Sequence, residues 1–269
     1  MDPVKDPEPP MEPGVPEGAR IGVVIPALNE ERALAPVLAE LAPALGALAA
    51  ETGRTALVVV VDNGSTDATA EVARAGGAVV VAEPRRGYGQ ACLAGLAELE
   101  RRAFAADDWV VFLDADHSDY PADLADVAAP LAEGRADFVI GSRVLGGATM
   151  EALLPQAWFG NRLACGLMRV LFGARYSDLG PFRALTWGAL AHLAMRDTNF
   201  GWTIEMQLKA HMARLRVVEV PVRYRARIGT SKITGTLRGT LGAGSKILGW
   251  IFGWRLKTLF TRGGIPRYR

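Results

Sequence analysis

Five short apolar runs alternate with helically spaced segments, and four of them lead into a polar residue or a proline. This pattern constrains the chain more than any other feature. Arg20-Ile21-Gly22-Val23-Val24-Ile25-Pro26 reads as a buried strand. After it, Leu34, Val37, Leu38, Leu41, Leu45 and Leu48 recur at the spacing of one helix face, with Asn29 as the expected cap. Ala56 to Val61 is a second strand ending at Asp62, and a helix is expected to start near Ser65 to Asp67. Ala78 to Val81 is a third strand, followed by a helix over Gly89 to Arg102. Trp109 to Leu113 is a fourth, ending at Asp114; Phe138 to Ile140 is a fifth, running into Gly141-Ser142-Arg143. Apolar strands alternating with helices predict an α/β fold: a mostly parallel, Rossmann-like sheet covered on both faces. Ligands in such sheets bind beyond the carboxyl ends of the strands. Here those ends carry Pro26, Asp62, Asp114 and Arg143.

The remaining sequence sets the boundaries. Residues 1–18 are acidic and Pro-rich, without the basic and apolar regions of a signal peptide, and are expected to be a disordered leader. The main domain is expected over 19–234, and a basic amphipathic segment over 235–269. The formal net charge is +1, yet from Arg214 onward 13 Lys and Arg face one acid, Glu219. Such a tail suits a polyanionic partner or a membrane surface; a solvated basic tail is the alternative. The two cysteines, Cys92 and Cys165, are too few for a disulfide scaffold and read as small buried hydrophobes. No segment is expected to supply the ~20 apolar residues that span a bilayer. Leu237 to Phe260 mixes Trp250 and Trp254 with Arg238, Lys246, Arg255 and Lys257, as interfacial helices do; burial on this domain or on a partner chain is the alternative.

Four motifs carry the chemistry. Asp114-Ala115-Asp116, after a buried strand, offers two carboxylates to one hard cation such as Mg2+ or Mn2+, which commonly bind through one or two carboxylates and substrate phosphates. The alternative is a turn, with Asp119 and Asp123 capping the helix that follows. Asp62-Asn63-Gly64-Ser65-Thr66-Asp67 places Asp62 toward a base or ribose, with Ser65 and Asp67 free to cap. Arg85 to Ala91 contains Gly87 and Gly89, where backbone can approach a ligand closely, but Cys92 interrupts a dinucleotide fingerprint. In Val222 to Lys232, a strand would align Arg223, Arg225 and Arg227 on one face as a phosphate grip; a charged edge strand is the alternative. Sparse aromatics and near-neutral charge argue against nucleic acid.

Taken in order, these residues resemble the family 2 glycosyltransferases of GT-A fold, above all the polyprenyl- and dolichyl-phosphate sugar transferases. The resemblance spans Ile21 to Gly235. It rests on Val24 to Glu30, Val61 to Asp67, Asp114-Ala115-Asp116 and Gly141-Ser142-Arg143, followed by Ser177 to Arg183, Gly201-Trp202-Thr203-Ile204-Glu205 and Arg227 to Lys232. It implies a nucleotide-binding set of Pro26, Leu28, Asn29, Glu30, Asp62, Gly87, Asp114 and Ala115. Asp114 and Asp116 would hold Mg2+ or Mn2+. Arg143, Arg225, Arg227, Ser231 and Lys232 would bind an acceptor phosphate. Asp178 and Glu205 would line the sugar pocket and serve as candidate bases, and Asp116 and Arg143 would join them as catalytic residues. Ser118 stands where such transferases often carry a Gln, and Asp62-Asn63 where they carry two acids.

The implied reaction is inverting transfer from a UDP- or GDP-hexose to a polyprenyl monophosphate, by a protein peripheral on the cytoplasmic face of a membrane. A small phosphorylated or hydroxyl acceptor is the alternative, followed by a nucleotidyltransferase and a non-catalytic binding module. Self-association and a membrane protein partner are both compatible with the tail.

Overall fold

The computed structural model describes residues 18–148, 155–229, 237–260 and 266–268. Of the residues singled out above, Ser231 and Lys232 lie outside the described residues, as does nearly all of the 1–18 leader. The chain builds one seven-stranded sheet of order β3-β2-β1-β4-β6-β5-β7. The strands are β1 Arg20–Ala27, β2 Thr55–Asp62, β3 Val79–Ala82, β4 Trp109–Phe112, β5 Phe138–Ser142, β6 Arg183–Thr186 and β7 Val217–Pro221. All neighbouring pairs are parallel except those of β6, which runs antiparallel between β4 and β5. The five expected strands are present; β6 is too short and too mixed to show a period, and β7 lies just ahead of the basic stretch.

The helices are α1 Glu31–Thr52, α2 Thr69–Ala75, α3 Tyr88–Arg101, α4 Leu124–Ala132, α5 Pro155–Phe172, α6 Trp187–Leu193, α7 Trp202–Ala213 and α8 Leu237–Phe260. One face of the sheet packs on α1, α2 and α4. The other packs on α3, α6 and α7. A third cluster joins α5, α7 and α8. On α1 the predicted stripe of Leu34, Val37, Leu38, Leu41, Leu45 and Leu48 is buried, and Gly53 stops the helix in a left-handed conformation at φ 65°. Burying each large apolar side chain of that stripe contributes about 1.5–3 kcal/mol.

Several local expectations are corrected. Asn29 does not cap α1: it sits at φ 51° and its Oδ1 accepts from the Thr66 amide at 2.8 Å, tying the first loop to the second. Neither Ser65 nor Asp67 is the N-cap of α2, a position that falls to Ala68. Ser65 Oγ accepts from the Asn29 amide, and Asp67 holds Thr69. Asp123 makes no cap hydrogen bond on α4 and pairs with Arg223 instead. Among the described residues one helix, α1, is long and apolar enough to cross a membrane by length and composition, with mean hydropathy 1.7, where none was expected. Its buried stripe belongs to the core. Residues 237–260 of the expected amphipathic segment form one continuous helix. It packs on α5 and α7, and its Ile251 is fully buried.

Candidate active site

The sheet order reverses between β1 and β4. The chain leaves β1 for β2 and β3 on one side, then returns to place β4 on the other. The crevice above such a point is where open α/β sheets bind ligands. Here it is a cleft of about 290 Å3. Pro26, Ala27, Leu28 and Glu30 come from the end of β1 and its loop, Asn63 from the end of β2, and Asp114, Ala115 and Asp116 from the end of β4. Six of the eight predicted nucleotide-binding residues therefore line one cavity: Pro26, Leu28, Glu30, Gly87, Asp114 and Ala115. Asn29 and Asp62 shape its walls from outside. Asp62 Oδ1 accepts from the Ser65 amide at 2.9 Å and fixes the loop.

The floor of the cleft is acidic. Burial first, and the Asp116 charge second, push the Asp114 carboxyl up to about 7. The Tyr88 hydroxyl donates to Asp114 Oδ1 at 2.9 Å. Asp119, read from sequence as a cap, is buried behind the pair, and its Oδ2 accepts from the Asp114 amide. Its Oδ1 has no partner, and burial followed by the two neighbouring acids raises its carboxyl well above the usual range. Asp116 Oδ1 accepts from both the amide and the hydroxyl of Ser118, at 2.9 and 2.5 Å. Its Oδ2 lies 3.1 Å from Arg227 Nη1. Three crowded carboxyls, one raised to about 7 and one with an orphaned oxygen, form a cluster short of positive charge. Of the three, Asp114 and Asp116 line the cleft and offer the oxygen donors that a hard divalent cation takes. No cluster of three His, Cys, Asp or Glu among the described residues forms a ready-made cage, so substrate oxygens must complete the coordination.

The glycines of the third motif have a different task from the one expected. A Cβ on Gly87, which sits at φ 150°, would overlap the Thr198 carbonyl oxygen, and one on Gly89 would overlap that of Asp197. The Gln90 amide donates to Thr198 O at 2.8 Å. What approaches closely is thus the 197–200 loop, brought over the cleft with Asn199 and Phe200 in its wall. Asn63 holds the other side: its Oδ1 accepts from the Gly87 amide, and its Nδ2 donates to the Glu83 and Arg85 carbonyls. Sequence reasoning missed Asn63, Arg86, Tyr88, Asn199 and Phe200 as lining residues. The glycines beside Tyr88 and the Gly201-Trp202 motif after Phe200 were the available signals.

The basic stretch does not extend β7 beyond Pro221, so the expected strand alignment of its three arginines is not made; Arg223 and Arg225 both stand over the Tyr120 ring, 4.7 and 4.2 Å from its centroid. Each meets a different acid: Arg223 pairs with Asp123, Arg225 with Glu40, and Arg227 with both Glu30 and Asp116. Of the three, Arg227 reaches the cleft. Arg143 and Asp178 do not line it. They form a bidentate pair, Asp178 fully buried and Arg143 partly so, with Nε and Nη2 of Arg143 donating at 2.8 Å to the two carboxylate oxygens. Burial alone would raise the Asp178 carboxyl; the Arg143 charge and hydrogen bonds outweigh it and hold the group below its usual range. Glu205 is fully buried and does not line this cleft either. It accepts from the Arg196 and Asp197 amides and pairs with Lys209 at 2.7 Å. Neither of the acids expected at the sugar pocket lines this cleft; each is engaged in an ion pair, Asp178 with Arg143 and Glu205 with Lys209.

The family profile described as Glycosyl transferase family 2 matches residues 22–159, just over half of the chain, from within β1 through β5. The chain belongs to glycosyltransferase family 2. An uncharacterized glycosyltransferase of Mycobacterium tuberculosis is 38% identical over 228 residues, covering 83% of this chain and 94% of its own length. A dolichyl-phosphate hexose transferase of Haloferax volcanii is 32% identical, covering 79% of this chain and 86% of its own. Among solved structures, glucosyl-3-phosphoglycerate synthase of M. tuberculosis in complex with Mn2+ and UDP-glucose superposes with a TM-score of 0.63 at 25% identity, over 88% of this chain and 79% of that one. This glycosyltransferase therefore has the GT-A architecture, with its acidic triplet at the switch point of the sheet.

Proposed function

We propose that this glycosyltransferase moves a hexosyl group from a nucleotide diphosphate sugar, with UDP-glucose as the first donor to test, to a small phosphorylated acceptor, inverting the anomeric centre. The observation that carries the reading is the cleft itself. A nucleoside-sized cavity opens where β1 and β4 diverge, and an underneutralised acidic pair forms its floor. The structural relative that binds Mn2+ with UDP-glucose supports the donor class.

The chain's own residues divide the work. Pro26, Leu28 and Tyr88 wall the cleft, and Phe200 narrows its access to water. Asp114 and Asp116 would hold Mg2+ or Mn2+, which when bound neutralises the departing diphosphate. Arg227 stands beside them, where an anionic group of donor or acceptor can take over its ion pairs. Among the described residues, the carboxylates lining the cleft are Glu30, Asp114 and Asp116, and each already faces a cation or the proposed metal position. A hydroxyl acceptor would need a general base, and Asp178 and Glu205 are engaged elsewhere. A phosphate oxygen is ionised at neutral pH and reacts without one, so positioning and charge compensation supply the catalysis.

A second reading, a polyprenyl phosphate acceptor at a membrane surface, is favoured by the dolichyl-phosphate relative and by one surface. On α5, Phe159, Leu163 and Val170 are exposed beside Arg162 and Arg169; on α8, Phe252 and Leu256 are exposed beside Arg255. Neither helix contains an acid. The deciding experiment is an acceptor screen with UDP-glucose and GDP-mannose, setting phosphorylated metabolites against short polyprenyl phosphates, with flotation on anionic liposomes in parallel. Nucleoside diphosphate release with a small acceptor and no flotation supports the first reading. Turnover of the prenyl acceptor alone, with flotation, replaces it by the second.

A further inference from the structure

A second cavity, of about 1020 Å3, lies between α8 and the α6–α7 corner. It meets the Asp114 cleft through a shared wall, since Asn199 and Phe200 line both. It is far larger than a phosphate or a three-carbon acid requires.

Its two sides differ in chemistry. The α8 side presents Trp250 and Trp254, whose rings stack with centroids 6.2 Å apart and planes 15° apart. Between them and around them are Gly242, Gly249 and Gly253, and a Cβ added at Gly249 or Gly253 would meet no atom within 4 Å. Small residues here leave the indoles bordering open space. The facing side is polar: Arg196, which is exposed, with His192 and Asn199, and the Glu205–Lys209 pair buried beneath them. Asp197 anchors the two sides together, accepting from Trp250 Nε1 at 2.6 Å and pairing with Lys246 at 3.1 Å. Gly201 makes this closure feasible, because a Cβ there would overlap the Trp250 indole nitrogen.

We propose that this groove is an acceptor subsite for a polyhydroxylated ring, so that the acceptor is a phosphorylated saccharide with its phosphate toward Asp114 and its sugar body in the groove. An aromatic wall opposite a wall of charged hydrogen-bonding groups suits a pyranose, which has an apolar C–H face and a rim of hydroxyls. A prenyl chain would cover the exposed Arg196 guanidinium without offering it a hydrogen bond. The proposal rests on the transferase reading above, and its test separates the two.

The test is saturation-transfer NMR with maltose as probe and farnesyl phosphate as comparison, on the full chain and on Gly249→Leu and Gly253→Leu. A Cβ at either position meets no atom within 4 Å, and leucine improves the intrinsic helix propensity of each site, so folding is retained; thermal unfolding checks this. Titration with UDP and Mn2+ reports the donor cleft. The expected result is transfer from the wild type to maltose, at least fivefold weaker in both variants, with UDP–Mn2+ binding unchanged. No transfer to maltose, or transfer equal in wild type and both variants, overturns the proposal. Farnesyl phosphate bound in the groove and excluded by the leucines also overturns it, assigning the groove to a lipid chain. Maltose binding that persists without any UDP–Mn2+ binding would sink the donor reading and leave the groove standing.

Discussion

Arg227 Nη1 lies 3.1 Å from Asp116 Oδ2, while its Nη2 lies 2.9 Å from Glu30 Oε1. A guanidinium thus neutralises part of the acidic pair and bridges the loops after β1 and β4. Its Nε is buried without a partner, so this arrangement is incomplete. A cation bound to Asp116 competes with Arg227 for the same oxygen. Arg227→Met should tighten Mn2+ binding in the absence of nucleotide about fivefold, roughly 1 kcal/mol, with lower thermal stability of the metal-free protein. Isothermal titration gives the answer; weaker Mn2+ binding in the variant would show that Arg227 supports the metal position.

Replacing Asp114 or Asp116 by Asn should cut transfer by more than about 100-fold, a barrier increase of roughly 2.7 kcal/mol or more. Asp114→Asn should at the same time raise the melting temperature of the metal-free protein, because it removes a charge that burial and Asp116 both oppose. Divalent cations should no longer raise the apparent stability of either variant. Undiminished turnover would remove these carboxylates from the reaction.

The raised Asp114 carboxyl also fixes a pH dependence. With a folded value of about 7 against 3.8 for an ordinary aspartate, the native metal-free protein binds a proton that the unfolded chain has lost. Its stability contribution is therefore fully present below pH ~4 and declines as pH rises through 7. Metal binding needs the deprotonated form, so Mn2+ affinity should rise with pH up to about 7 and then level off. Near pH 6.5, Mn2+ binding should release a proton, seen as a buffer-dependent heat; a buffer-independent heat would contradict it.

Gly87→Ala should destabilise the protein by about 2 kcal/mol or more. The new Cβ overlaps the Thr198 carbonyl, and the residue sits at φ 150°. The 197–200 loop would be displaced from the cleft, so donor binding should weaken together with stability. Urea denaturation alongside nucleotide titration measures both.

Arg143 and Asp178 should behave as a structural pair. Removing either partner alone leaves a buried charge unmatched and should cost about 3–5 kcal/mol. Arg143→Met combined with Asp178→Leu should cost markedly less than the sum of the single changes. Strict additivity in this double-mutant cycle would show that the two residues act separately.

The alternating strands and helices were legible because their signals are local. A buried strand announces itself in a handful of consecutive residues, as Val110 to Leu113 do, and α1 in the spacing of six aliphatic residues. The Asp114-Ala115-Asp116 triplet was legible for the same reason, since both acids follow one strand. Pairings were not legible. Arg227 meets Glu30 across 197 positions, Arg225 meets Glu40 across 185, and Arg143 meets Asp178 across 35. Which acid an arginine finds depends on which strand ends stand side by side, and that follows from the insertion of β6 between β4 and β5. By itself the sequence determined the layers, the position of the acidic triplet and the supply of arginines. Only the tertiary structure decided that Asp178 and Glu205 are buried in structural pairs, that Gly87 and Gly89 admit a backbone loop, and that Asn199 and Phe200 join two cavities, because each depends on distances across the sheet that no local pattern encodes.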